Sequence, residues 1–150
     1  MRIRFTIISI ALCAGFMPAI GQNEPKNDTK TAANCPDAKD LINTDLFGAW
    51  TLELPSGVGA ANTTRLTLER NPEFAESLAG NFLQGAIRHE VFGDIEAGML
   101  DLEESNNGKD IIALWKGRVQ DGSCGKAITG TRRLVDTTLE QNFVLRRAGW

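Results

Sequence analysis

The 150-residue sequence has no tyrosine, one histidine and three cysteines. That leaves too few ligands for a zinc centre of the usual kind, and no metal is expected. Positive charge is also short: 16 basic residues face 19 acidic ones, a formal net charge of −3. Without a basic field to hold phosphates, a nucleic-acid partner is not expected. Neither Gly-x-Ser-x-Gly nor another nucleophile motif occurs, so no catalytic residue is assigned, no cofactor is expected and the chain reads as a non-enzyme. What is there is ordinary for a folded protein: 42% hydrophobic and 23% charged residues, a length that suits one domain.

The one long apolar run, Phe5 to Met17, follows Arg2 and Arg4 and precedes Ala19-Ile20-Gly21. A basic start, an apolar centre and small residues at −3 and −1 predict a bacterial secretory signal peptide over residues 1–21. The run is too short to span a bilayer comfortably, and nothing later approaches its length, so a soluble, non-transmembrane periplasmic or secreted protein is expected. Lipidation at Cys13 is the weaker alternative, because Leu12 suits the position before a modified cysteine poorly. Losing Arg2 and Arg4 takes the 16 basic residues to 14 against 19 acidic ones, a net charge of −5. The two cysteines that remain, Cys35 and Cys124, meet an oxidising compartment and are expected to pair.

Residues 22–44 read as a polar lead-in, with one or two helical turns from Pro36 to Ile42. From Asp45 the hydrophobic period becomes two. Inward sets run Trp50, Leu52, Leu54; Leu66, Leu68; Leu78, Gly80, Phe82; Ile87, His89, Val91; Leu100, Leu102; Ile111, Ala113, Trp115, Val119; Ile128, Gly130, Arg132, Leu134; and Phe143, Leu145, Arg147. Turn signals separate them, Asn107-Gly108 the clearest. Eight short strands with short connections predict an all-β, eight-stranded antiparallel up-and-down barrel over residues 45–150, because closure removes sticky edges. Gly48, Gly80 and Gly130 each lie between large residues of one face, a pattern that suits strand coiling.

Gly48-Ala49-Trp50 before alternating strands, with Arg146-Arg147 at the far end, resembles the lipocalin, avidin and bacterial metalloprotease-inhibitor barrels. The resemblance implies an arginine packed over the opening tryptophan: Arg147 on Trp50, with Arg132 the second choice. At its ends, Asp45 to Leu52 and Phe143 to Ala148, the chain is similar to bacterial alkaline-proteinase inhibitors. In that family the segment before the barrel enters the protease cleft and the disulfide lies within the barrel. Here Cys35 precedes the first strand and tethers that segment. The avidin likeness is architectural only, since its biotin pocket needs a tyrosine.

The inward phase of Phe82, His89 and Trp115 marks them as candidates to contact a small apolar ligand, and equally as core residues with His89 satisfied internally. Asp94, Glu96, Asp101, Glu103, Glu104 and Asp110 read as a solvated outer face, with Lys116, Arg118, Arg132 and Arg133 as cross-strand salt partners. Trp150 either plugs a barrel mouth or trails free. Two functions follow: a monomeric barrel binding a small apolar molecule, or one blocking a secreted protease through its lead-in or loops. Intact-mass measurement of the exported, non-reduced protein should give a chain that begins at Gln22 and lacks the two thiol hydrogens. Retention of residues 1–21, or labelling of two free thiols, contradicts this reading.

Overall fold

The alternation from Trp50 to Arg147 becomes eight strands: β1 (Gly48–Ser56), β2 (Ala60–Arg70), β3 (Leu78–Gln84), β4 (Ile87–Glu96), β5 (Met99–Ser105), β6 (Ile111–Val119), β7 (Ala127–Leu134) and β8 (Glu140–Arg147). Each pairs antiparallel with the next, and β1 also pairs with β8, so the sheet closes in up-and-down order. The computed structural model describes residues 35–56 and 60–149. The leader, Cys13, the first part of the lead-in and Trp150 lie outside the described residues. Among the described residues, no helix is long and apolar enough to cross a membrane.

Side chains of one phase fill the barrel. Trp50, Leu52, Leu66, Phe82, Leu100, Trp115, Ile128, Phe143 and Leu145 are fully buried. Ile87 shares this phase but is 56% exposed, because it is the first residue after the β3–β4 turn and extends past the packed layers.

The up-and-down order sorts the connections onto two ends. The β1–β2, β3–β4, β5–β6 and β7–β8 hairpins share one end; the β2–β3, β4–β5 and β6–β7 connections share the other with the chain leading into β1. That leading chain forms the expected helical turns as two 3₁₀ turns, Ala38–Asp40 and Asn43–Leu46. It is anchored in four ways. Leu41 and Leu46 are buried in the core. The Asn43 amide donates to Asp94 Oδ1 at 3.0 Å and to the Glu76 carbonyl, and its oxygen accepts from the Ile95 N–H at 2.8 Å. Cys35 and Cys124 are joined at disulfide distance, with Cα atoms 4.8 Å apart. Their separation of 89 residues closes a long loop, for which chain entropy gives about 4–5 kcal/mol. Finally, the Arg147 guanidinium lies 5.2 Å from the Trp50 ring centre and donates to the carbonyls of Asp45 at 2.7 Å and Phe47 at 2.6 Å. Trp50 Nε1 donates to the Leu46 carbonyl at 2.8 Å. This plug of cation, ring and backbone closes the end.

Coiling depends on missing side chains, two of them at glycines the sequence pattern marks. A Cβ on Gly130 would overlap the Lys116 carbonyl oxygen of β6, and one on Gly80 would overlap the Thr67 carbonyl oxygen of β2. These strands cross their neighbours too closely for any side chain. Gly130→Ala should therefore lower stability by about 1–3 kcal/mol, read from the denaturant midpoint. An unchanged midpoint would show that the strands can separate at no cost.

Candidate functional site

Near the hairpin end, five consecutive strands each contribute one polar or aromatic side chain to the interior: His89 (β4), Glu104 (β5), Trp115 (β6), Arg132 (β7) and Gln141 (β8). Glu104 is wholly buried and Arg132 is 4% exposed. Four N–H donors meet the two carboxylate oxygens. Arg132 Nε (2.6 Å) and Trp115 Nε1 (2.7 Å) donate to Oε2; Arg132 Nη2 (2.7 Å) donates to Oε1, and His89 Nδ1 lies 2.7 Å from Oε1. The remaining Arg132 Nη1 donates to Gln141 Oε1 at 3.0 Å. Aromatic rings wall the cluster. Phe82 stacks on His89 with centroids 5.0 Å apart, Trp115 lies edge-on to Phe82 at 5.8 Å, and Phe143 packs on Trp115 at 4.9 Å. Arg132 is also 5.8 Å from the Trp115 ring centre.

This arrangement corrects two expectations. Glu104 does not belong to the solvated acidic face, and Arg132 is neither an outer salt partner nor the cation over Trp50. Glu104 shares its phase with Leu100 and Leu102, and both of those point inward. The visible signal was that phase; the acidic neighbours Asp101, Glu103 and Asp110 masked it. Lys116 does pair with Asp101 across β5 and β6 on the outside, and Arg118 and Arg133 are exposed. Phe82, His89 and Trp115 are brought together, packed against one another and against the ion pair.

Burial is the largest influence on Glu104 and raises its pKa. The hydrogen bonds and charge of Arg132, the Trp115 N–H and His89 together outweigh it and hold the carboxyl below the ordinary glutamate value. The bidentate fork is the geometry in which Arg binds carboxylate best. Held ionised and with both oxygens engaged, Glu104 is poorly placed to donate a proton or to receive a further ligand donor. No unpartnered polar side-chain atom is buried among the described residues. The chemistry the cluster supplies is structural: it fixes five strands by one ion pair.

Open space lies instead on the outer wall. A cleft of about 1000 Å³ runs over the outward faces of β4, β5 and β6, beneath the β2–β3 connection. Phe92, Glu103 and Leu114 form one cross-strand row on its floor. Asp94, Asp101 and Lys116 form the next row. Phe74 overhangs from the connection and is 66% exposed. A second, smaller cleft of about 500 Å³ lies beside Cys35 and Cys124.

No protein-family model matches the chain, and no curated protein matches its sequence.

Glu104→Gln keeps the shape but leaves the Arg132 charge buried without its counter-ion, which should cost about 3–5 kcal/mol. The lowered native pKa also sets a pH signature. Its stabilisation is present above the unfolded glutamate pKa and is lost as pH falls through the lower native one. Stability curves taken from neutral to acid pH should therefore show a steep acid limb in the native chain and a shallower one in Glu104→Gln. Parallel limbs would mean that another carboxylate governs acid unfolding.

Proposed function

We propose that this chain is a non-catalytic barrel of the periplasm or extracellular space that binds another polypeptide on its outer surface. The observation that carries this reading is where space is and is not. At the level of Phe82, His89 and Trp115 the interior is occupied by the protein's own rings and the Glu104–Arg132 pair. The roomy concavity is on the outside. The disulfide supports an oxidising compartment, and the leader read from residues 1–21 supports export.

A secreted protease is the partner suggested by the resemblance at the two barrel ends. The segment that would have to enter its cleft is constrained here. Cys35 is bonded to Cys124, and Leu41, Asn43 and Leu46 are fixed on the barrel end. Inhibition by a free leading strand is therefore disfavoured after Cys35, and a surface of the barrel wall or its loops is the better place for contact.

Binding of a small apolar ligand is the second reading, and one feature favours it. Ile87, two residues before His89 on the inward phase, and Leu139, just before β8, both lie at the hairpin end, yet are 56% and 61% exposed. An apolar molecule seated across that mouth would cover them without entering the packed interior. Native mass spectrometry of the protein drawn gently from its own compartment separates the two readings. A bound polypeptide with no retained small molecule is the expected result; a retained small molecule, displaced by Ile87→Lys, would overturn the polypeptide reading.

A further inference from the structure

The outer cleft has a chemistry of its own. Outward positions on a barrel wall face water, yet Phe92 and Leu114 are apolar, half-buried and separated on the floor only by Glu103. Strand spacing sets them roughly 10 Å apart. Phe74 adds a third apolar side chain, and its backbone is held in place despite the side chain's exposure. The Asn71 side-chain oxygen accepts from the N–H groups of Glu73 at 2.9 Å and Phe74 at 3.1 Å, and Asn43 ties the same connection to Asp94. An aromatic presented on an ordered turn has less backbone entropy to lose on contact.

The charges are mostly of one sign. Glu73, Glu90, Asp94, Asp101 and Glu103 line the cleft against a single lysine, Lys116, which already pairs with Asp101. Glu90 has a long contact with Arg88 at 3.8 Å, and Asp94 accepts from Asn43. Glu73 and Glu103 have no ion pair among the described residues. Asp94 and Asp101 stand directly opposite across β4 and β5, a like-charge pairing that costs stability in an isolated sheet.

We infer that this cleft takes a cationic polypeptide segment whose apolar side chains seat against Phe74, Phe92 and Leu114 while its lysines or arginines meet Glu103, Asp94 and Glu90. The inference rests on the outer-surface reading above and names the partner's chemistry. Other occupants fit less well. A metal ion would need converging ligands, and no group of three His, Cys, Asp or Glu does so among the described residues. A second copy of this acidic chain brings mostly like charge to an acidic wall. A small polyamine would leave the apolar floor uncovered.

The test uses the mature, disulfide-bonded chain and a fluorescent peptide in which lysine alternates with leucine. Its controls are a lysine–serine peptide of equal charge and a glutamate–leucine peptide of equal apolarity. Anisotropy should show the lysine–leucine peptide binding at least about tenfold tighter than either control. Nuclear magnetic resonance shifts should centre on Phe92, Glu103 and Leu114. Glu103→Lys and Leu114→Ser should each weaken binding about tenfold or more, while Asp121→Lys, the same charge change in the β6–β7 loop, should alter it less than about twofold. Equal binding of the lysine–serine peptide, or equal loss in Asp121→Lys, would reduce the effect to net charge and overturn the proposal. Concentration-dependent dimerisation through these residues would overturn it in favour of a second copy. If a co-purified polypeptide still binds Glu103→Lys and Leu114→Ser unchanged, this cleft is excluded while outer-surface binding stands. A retained small molecule would remove the broader reading itself.

Discussion

The Glu104–Arg132 pair is the contact on which the rest of the barrel depends. Side chains from five neighbouring strands meet there and must agree at once. A strand slipped by one residue sends its inward set outward. For β5 or β7 such a slip would turn a charge away and leave its partner buried alone, a far larger penalty than an apolar mismatch. The aromatic shell of Phe82, Trp115 and Phe143 accepts many packings; a carboxylate with four donors accepts very few. An apolar replacement of both charges would pack with less desolvation, so the pair contributes more to the choice of register than to net stability.

At the opposite end the same problem is solved with different chemistry. Arg147 lies over Trp50 and caps two backbone carbonyls, Leu46 and Leu41 enter the core, and a disulfide ties the leading chain to the β6–β7 connection. Between these two anchors the wall is free to coil, and it does so where Gly80 and Gly130 let neighbouring backbones approach. One buried ion pair and one cation-on-ring plug thus hold the two ends of a tube whose middle is ordinary apolar packing.

The strands, their order and the closure were legible because period-two alternation is a strong signal over an unbroken series of short segments. The location of the ion pair was less so. Arg132 has the inward phase of Ile128 and Gly130, yet its charge argues for the surface. Glu104 sits in a run of carboxylates that are otherwise outside. Single-strand patterns cannot show that two such misfits will meet, because their pairing crosses β6 and depends on register set elsewhere. The outer row of Phe92, Glu103 and Leu114 was hidden for the same reason: it exists only once three strands lie side by side.

These features bear on function through what they leave available. A barrel that carried its ligand inside would need an unfilled layer and polar groups with spare hydrogen-bonding capacity. Here the inward layer near the hairpin end is full, and its carboxylate oxygens are already engaged by four donors. The other end is covered by its own lead-in, with Leu41 and Leu46 buried in the core. On the reading proposed above, recognition falls to the exterior, where outward side chains on β4, β5 and β6 lie away from the packed core. A wall so supported tolerates what an isolated sheet would resist, including two aspartates face to face and bare apolar side chains between carboxylates. A surface of this kind gains most when it is covered, and that is the physical ground for proposing the outer wall, ahead of the interior, as the place of contact.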